Sequence, residues 1–256
     1  MEEYKLNAEL YKNSIRENGC YCMRSMQKAP GYKQKLDWTE EGYNSGLVYV
    51  QLKIDKKPVG FIEYAPGEAA WRVVHADGYM VIHCLWVGVT GMGYGTQLIQ
   101  QCIQDAKQLG KKGVVVLSNA DTSWAPESSI FKKNGFEYVG KAPYSFELYV
   151  YKFRDDPNPY FPDNWNERLE RFNQGLTILR TDQCPYLEVA TQNIIQAAKS
   201  VNIEPEIIHI RDRSEMMELS PTPYGVFNVI FQGQLISFHR LTPHSFAKKL
   251  IAIIKD

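Results

Sequence analysis

Glycine falls at alternate positions in Gly91-Met92-Gly93-Tyr94-Gly95, directly after an apolar run and directly before a helical one. The run before it, 79–87, reads as a strand. The run after it, Leu98, Ile99, Cys102, Ile103 and Ala106, has the spacing of one helix face. No other stretch constrains the fold so tightly. A strand that ends in a glycine loop and turns into a helix offers free backbone N–H groups at a helix N-terminus, where the dipole adds positive potential. That is a place for a phosphate-bearing ligand; a glycine turn with no ligand is the alternative.

Two common phosphate loops do not fit. A dinucleotide fold needs Gly-x-Gly-x-x-Gly in a βαβ unit and an acidic residue closing the next strand. Here antiparallel strands precede the loop, and the next strand, 114–117, ends in Ser118-Asn119. A nucleotide P-loop needs Gly-Lys-Ser/Thr, which is absent.

Around the loop the chain reads as follows. Residues 4–18 have helical spacing through Leu6, Leu10 and Ile15, and 20–23 could start a strand. A helix or loop over 36–46 precedes a hairpin, 47–54 and 59–64, that turns at Asp55-Lys56-Lys57-Pro58. After 114–117 come a polar loop, a short helix over 127–134 ended by Gly135, and strands at 138–139 and 146–153. Pro157, Pro159 and Pro162 then lie among short polar residues, and proline there removes backbone donors. This marks a boundary: a domain over 1–155, a linker over 156–168 and a second domain over 169–256. In the second domain the expected order is βαβαββα, with helices over 185–201, 214–219 and 246–254.

The chain's 29 basic residues balance its 29 acidic ones, so no global field draws it to nucleic acid or an anionic membrane. Its apolar runs are strand-sized, and its first residues lack the pattern of a signal peptide. Five irregularly spaced cysteines suggest reduced thiols and a cytoplasmic setting. Cys20 and Cys22 have no companion pair at ligand spacing, so no metal site is expected.

Thr90-Gly91-Met92-Gly93-Tyr94-Gly95, followed by Ile130-Phe131-Lys132-Lys133-Asn134-Gly135-Phe136, resembles the GNAT superfamily of acyl-CoA-dependent N-acyltransferases. The wording of Asp77-Gly78-Tyr79, Cys84-Leu85-Trp86-Val87 and Tyr144-Ser145-Phe146-Glu147-Leu148 is similar to its YoaP-like subgroup. The resemblance implies an α+β and α/β chain: a mixed, mostly antiparallel sheet flanked by helices, then a smaller domain. It implies acetyl-CoA as co-substrate, with no metal, and transfer of its acetyl group to an amine. The amine is carried by a small-molecule or peptide acceptor, and a homodimer is compatible with the family. Leu85, Trp86, Val87, Val89, Thr90, Gly91, Gly93, Tyr94, Gly95 and Thr96 are the residues it places against the coenzyme. Thr90 stands where the family has Arg or Gln, and Phe131 where it has a Tyr that protonates the leaving thiolate. A non-catalytic acyl-CoA-binding or thiol-sensing protein is the alternative.

An amine is mostly protonated at neutral pH, so a base helps acyl transfer. Glu63, Asp77 and His83 are candidates on strands expected to line the site; a satisfied core histidine and a solvated carboxylate are the plainer readings of His83 and Glu63. Tyr144 or Tyr149 could replace the missing tyrosine as acid, or solvent could protonate the thiolate. In the second domain, Gln183-Cys184-Pro185-Tyr186 opens a helix after a strand and resembles the thioredoxin or glutaredoxin motif, with Leu187 in place of the second cysteine. A thiolate at a helix N-terminus is stabilised by backbone N–H groups, which makes Cys184 a candidate reactive thiol.

Overall fold

The computed structural model describes residues 8–255. Its first part runs β1 (Ala8–Lys12), α1 (Ile15–Asn18), α2 (Pro30–Gly42), β2 (Val48–Ile54), β3 (Lys57–Pro66), β4 (Met80–Val87), α3 (Tyr94–Gln108), β5 (Gly113–Asn119), α4 (Ser128–Lys133), β6 (Glu137–Ala142) and β7 (Phe146–Lys152). These strands form one sheet in the order β1-β2-β3-β4-β5-β7-β6. Only β4 and β5 run parallel, joined by α3 as the crossover. The expected mixed, mostly antiparallel sheet flanked by helices is what forms.

Local chemistry accounts for these elements. Asp55 and Lys56 both have positive φ, 47° and 65°, the twist that a two-residue hairpin turn requires between β2 and β3. Helix α3 buries Leu98, Ile99, Cys102, Ile103 and Ala106 against one sheet face, beside Val50, Leu52, Ile62 and Val116. Each large side chain so buried stabilises the fold by about 1.5–3 kcal/mol. On the opposite face Tyr49 and Phe61 pack with Tyr21 and Tyr32.

The helix expected over 4–18 is not formed as such. Residues 4–7 lie outside the described residues. Leu10 sits in β1, paired with Leu52 of β2, and only Ile15–Asn18 is helical. Strand pairing to an open sheet edge has overridden a weak helical spacing. Residues 20–23 form turns, not a strand, although Cys20, Tyr21 and Met23 are buried.

Two departures from regular pairing shape the middle of the sheet. The β3–β4 register pairs Glu63 with Cys84 and Tyr64 with Ile82, so His83 is an extra residue in a β-bulge. The β4–β5 ladder stops at Ile82 and Val116, although both strands continue. Beyond that point the two strands part, and the β5-facing edge of β4 has no ladder partner.

The chain goes on through α5 (Trp165–Glu170), β8 (Leu176–Arg180), α6 (Leu187–Lys199), β9 (Pro205–His209), α7 (Arg213–Leu219), β10 (Phe227–Phe231), β11 (Gln234–Ser237) and α8 (Pro243–Lys255). From β8 onward this is the expected βαβαββα order. The strands form a second sheet, β11-β10-β8-β9, with β8 and β9 parallel. The proline-rich segment before it is held down. Tyr160 and His75 exchange backbone hydrogen bonds of 2.9 and 3.1 Å, and their rings stack at 4.7 Å. Trp165 is buried. Val73, Ala125 and Phe146 from the first part belong to the same apolar core as Phe227, Val229 and Leu187 from the second.

Candidate active site

The parting of β4 and β5 opens onto the glycine loop at one end. Gly91 and Gly93 have φ of 81° and 75°, in the left-handed region that favours glycine. A Cβ at either would meet no atom within 4 Å, so open space lies over the loop. Helix α3 starts directly after it, and no side chain caps it. Its first-turn N–H groups therefore have no partner within the helix and face the loop's open side. Val89 and Met92 are exposed. Backbone amides, room and a helix dipole together suit an anionic diphosphate.

On the α2 side of the sheet lies a cavity of ≈ 670 Å³ whose walls come from both parts of the chain. Phe61, Glu63, Cys84 and Trp86 line it from β3 and β4, Tyr21 and Lys35 from the N-terminal segment, and Gln183, Cys184 and Tyr186 from the second part. At its floor Glu63, 1% exposed, receives three donors. Lys35 Nζ donates to Oε2. His83 Nδ1 lies 3.3 Å from Oε1, and Gln183 Nε2 donates to the same oxygen at 2.7 Å. A carboxylate has about four acceptor directions, so one remains.

The histidine's tautomer follows from its neighbours. The Trp71 backbone N–H donates to Nε2 at 3.0 Å, so that nitrogen carries the lone pair and Nδ1 carries the proton given to Glu63. Arg72, fully buried, holds the other side. It donates to the His83 carbonyl and, at 2.6 Å, to Gln183 Oε1, and its guanidinium lies 4.9 Å from the Tyr224 ring centre. Gln183 must therefore turn its oxygen to the cation and its amide N–H to the carboxylate. Burial alone would raise the Glu63 carboxyl, but the Lys35 charge and the His83 hydrogen bond outweigh it and hold it at about 2. Burial lowers His83 to about 4, so it is neutral at pH 7.

The residues singled out in the sequence separate on this map. Glu63 and His83 meet at the cavity floor, but the Nε2 lone pair of His83 is occupied by Trp71 and cannot serve as a base. Asp77 is exposed and does not line the cavity. Tyr144, 37% exposed, sits in the β6–β7 turn near Phe238, away from the cavity lining. The Tyr149 hydroxyl donates to Glu147 at 2.7 Å and is likewise not on the lining. Phe131 is wholly buried against Phe136. Cys184 precedes α6 and its sulfur is near the Tyr186 N–H, yet burial dominates and pushes the thiol up to about 12, opposite to the shift that a reactive thiolate needs. Among the described residues no three His, Cys, Asp or Glu side chains come together as metal ligands.

Sequence reasoning missed Lys35, Arg72, Gln183 and Tyr21. The Tyr21 hydroxyl lies where β4 ends, 2.8 Å from the point that a Gly88 Cβ would occupy. The signal for Lys35 was faint but present: a lysine between Tyr32 and Trp38 in a helix, where it now lies over the Trp38 ring at 4.5 Å.

Solved acetyltransferases resemble this fold at low identity. The paia N-acetyltransferase of Thermoplasma acidophilum, in complex with coenzyme A, aligns with a TM-score of 0.41 and 15% identity, over 58% of this chain and 100% of that one. An acetyltransferase of Thermus thermophilus aligns with a TM-score of 0.43 and 17% identity, over 58% and 98%. The chain is 26% identical over 252 residues to the uncharacterized N-acetyltransferase YoaP of Bacillus subtilis (strain 168), covering 94% of this chain and 97% of that one. The Acetyltransferase (GNAT) family profile matches residues 16–136, from α1 through the glycine loop to the end of α4. Over that span the chain is similar to the acetyltransferase (GNAT) family.

Proposed function

We propose that this chain transfers the acetyl group of acetyl-CoA to the amine of a small-molecule acceptor. One observation carries the reading: the parted β4 and β5 join a glycine-turned helix N-terminus to a walled cavity with a buried carboxylate at its floor. The backbone amides of 89–96 hold the pyrophosphate, Thr90 adding a hydroxyl, and the pantetheine arm lies along Leu85, Trp86 and Val87. A backbone N–H on the unpaired edge of β4 polarises the thioester carbonyl.

Glu63 accepts one N–H of the acceptor and stabilises the positive charge that the nitrogen gains as the C–N bond forms. Held at about 2, it is too weak a base to keep a proton, so its part is electrostatic. The nitrogen then loses its proton to water within the cavity. The C–S bond breaks, and the CoA thiolate takes up a proton; the Tyr21 hydroxyl at the end of β4 is the donor favoured here over Tyr144. His83, Lys35 and Gln183 are positioning residues.

We assign residues 1–155 to the acetyltransferase domain, 156–168 to a connecting segment clamped onto it, and 169–256 to a thioredoxin-like domain. The strand order β11-β10-β8-β9 supports that last assignment. Its task is to wall the acceptor cavity, not to run a thiol cycle. Five free cysteines agree with a reducing, cytoplasmic setting. Calorimetric titration with acetyl-CoA, followed by a free-thiol release assay over a panel of amines, tests the reading. Binding with amine-dependent release is expected; binding without release would make the chain an acyl-CoA-binding protein.

A further inference from the structure

The cavity holds a charge imbalance that the chain as a whole lacks. Basic and acidic residues are equal in number along the sequence, 29 of each. The cavity is lined by Arg24, Lys35, Arg72 and Arg240 but, among acids, by Glu63 alone. Lys35 already neutralises Glu63. Arg72 is satisfied by two carbonyls, the Gln183 amide oxygen and the Tyr224 ring, none of which cancels its charge. Arg24 donates to the Tyr21 carbonyl at 3.3 Å and lies 4.5 Å from that residue's ring centre. Among the described residues, the ion pairs formed by Lys35 and Glu63 include neither Arg24 nor Arg240, and both arginines are exposed on the solvent side.

Two consequences follow from a partly enclosed positive field. It disfavours an ammonium and so lowers the acceptor amine toward its neutral, nucleophilic form, which a base would otherwise have to produce. It also attracts an anion. The remaining lining is aromatic: Tyr21, Phe61, Trp86, Trp124 and Tyr186.

We propose that the acceptor is an amine that also bears a compact anionic group, an amino-acid-like zwitterion with an aromatic or apolar body. Arg24 and Arg240 hold the anion at the mouth, the rings receive the body, and the amine reaches the free acceptor direction of Glu63. This rests on the cavity being the acceptor pocket.

Trp86 and Trp124 make binding readable by fluorescence without turnover. The full-length protein is titrated at neutral pH with 3-phenylpropanoate, an anion lacking the amine, and with phenethylamine, an amine lacking the anion. The carboxylate is expected to bind at least about tenfold more tightly. The double variant Arg24→Gln/Arg240→Gln should erase that preference and leave the calorimetric affinity for acetyl-CoA unchanged. Equal or tighter binding of phenethylamine would overturn the proposal, and so would silence from both probes. Weaker acetyl-CoA binding by the double variant would also overturn it, because the arginines would then serve the coenzyme's phosphates. Failure of wild-type protein to bind acetyl-CoA would instead strike the acetyl-transfer reading, a separate result.

Discussion

The two ends of the β4–β5 opening are built on opposite principles. The glycine end is local: one short stretch of backbone, exposed and free of side-chain partners, whose properties follow from positive φ and a helix dipole. The Glu63 end is non-local. Its donors come from positions 28, 20 and 120 residues away along the chain, and every one is buried. Binding a phosphate group needs only amides in a row, whereas tuning a carboxylate needs side chains that the fold alone can assemble.

Removing the carboxylate should break the comparison most sharply. Glu63→Gln is expected to lower kcat/KM by about 10²–10³-fold, the usual loss for one electrostatic group at a reacting centre. Acetyl-CoA affinity by calorimetry should not move. A parallel fall in that affinity would mean that the two ends are not independent.

Acidification attacks the buried end next. An unfolded histidine takes up its proton near 6.5, whereas His83 in the fold does so near about 4. Between these values the unfolded chain binds more protons, so stability falls as pH falls. Glu63, held at about 2 against 4.5, continues the loss at lower pH. The thermal midpoint should therefore drop by several degrees from pH 6.5 to 4, and His83→Gln should flatten that stretch of the curve.

The glycine end has its own probe. Gly93→Ala forces a Cβ into the left-handed region at about 1–2 kcal/mol, so acetyl-CoA should bind about tenfold more weakly, with 3-phenylpropanoate binding unchanged. Gln183→Leu sharpens the other side. If Gln183 acts through Glu63, its effect on kcat/KM should shrink in the Glu63→Gln background, giving a coupling of about 0.5–3 kcal/mol; strictly additive losses would assign it a packing role. The smallest effect concerns Cys184. With its thiol pushed up to about 12, alkylation by iodoacetamide at neutral pH should run far below the rate of an exposed cysteine.

The same division explains what could be read from the sequence. The glycine loop, α3 and the hairpin turn at Asp55-Lys56 depend on neighbours a few residues apart, and they appear where periodicity and turn chemistry put them. The helix expected at Leu10 did not form because an edge partner, Leu52, lay 42 positions away. Glu63 and His83 were legible as titratable groups on expected strands, but their roles were not. The occupant of the His83 lone pair is a backbone amide at Trp71, in a segment with no regular pattern. Gln183 looked like part of a cysteine motif, and only the packing of α6 against α2 turned it toward Glu63.

The bulge at His83 has a consequence for how such a site can arise. Ile82 faces the α3 side and Cys84 faces the cavity, as neighbours in a regular strand would, and His83 is simply added between them. An inserted codon can thus supply a new hydrogen-bonding side chain without turning any neighbour to the wrong face. A substitution would have had to sacrifice a residue already in use. Excising His83 should return β4 to plain alternation and take away the Nδ1–H that Glu63 receives.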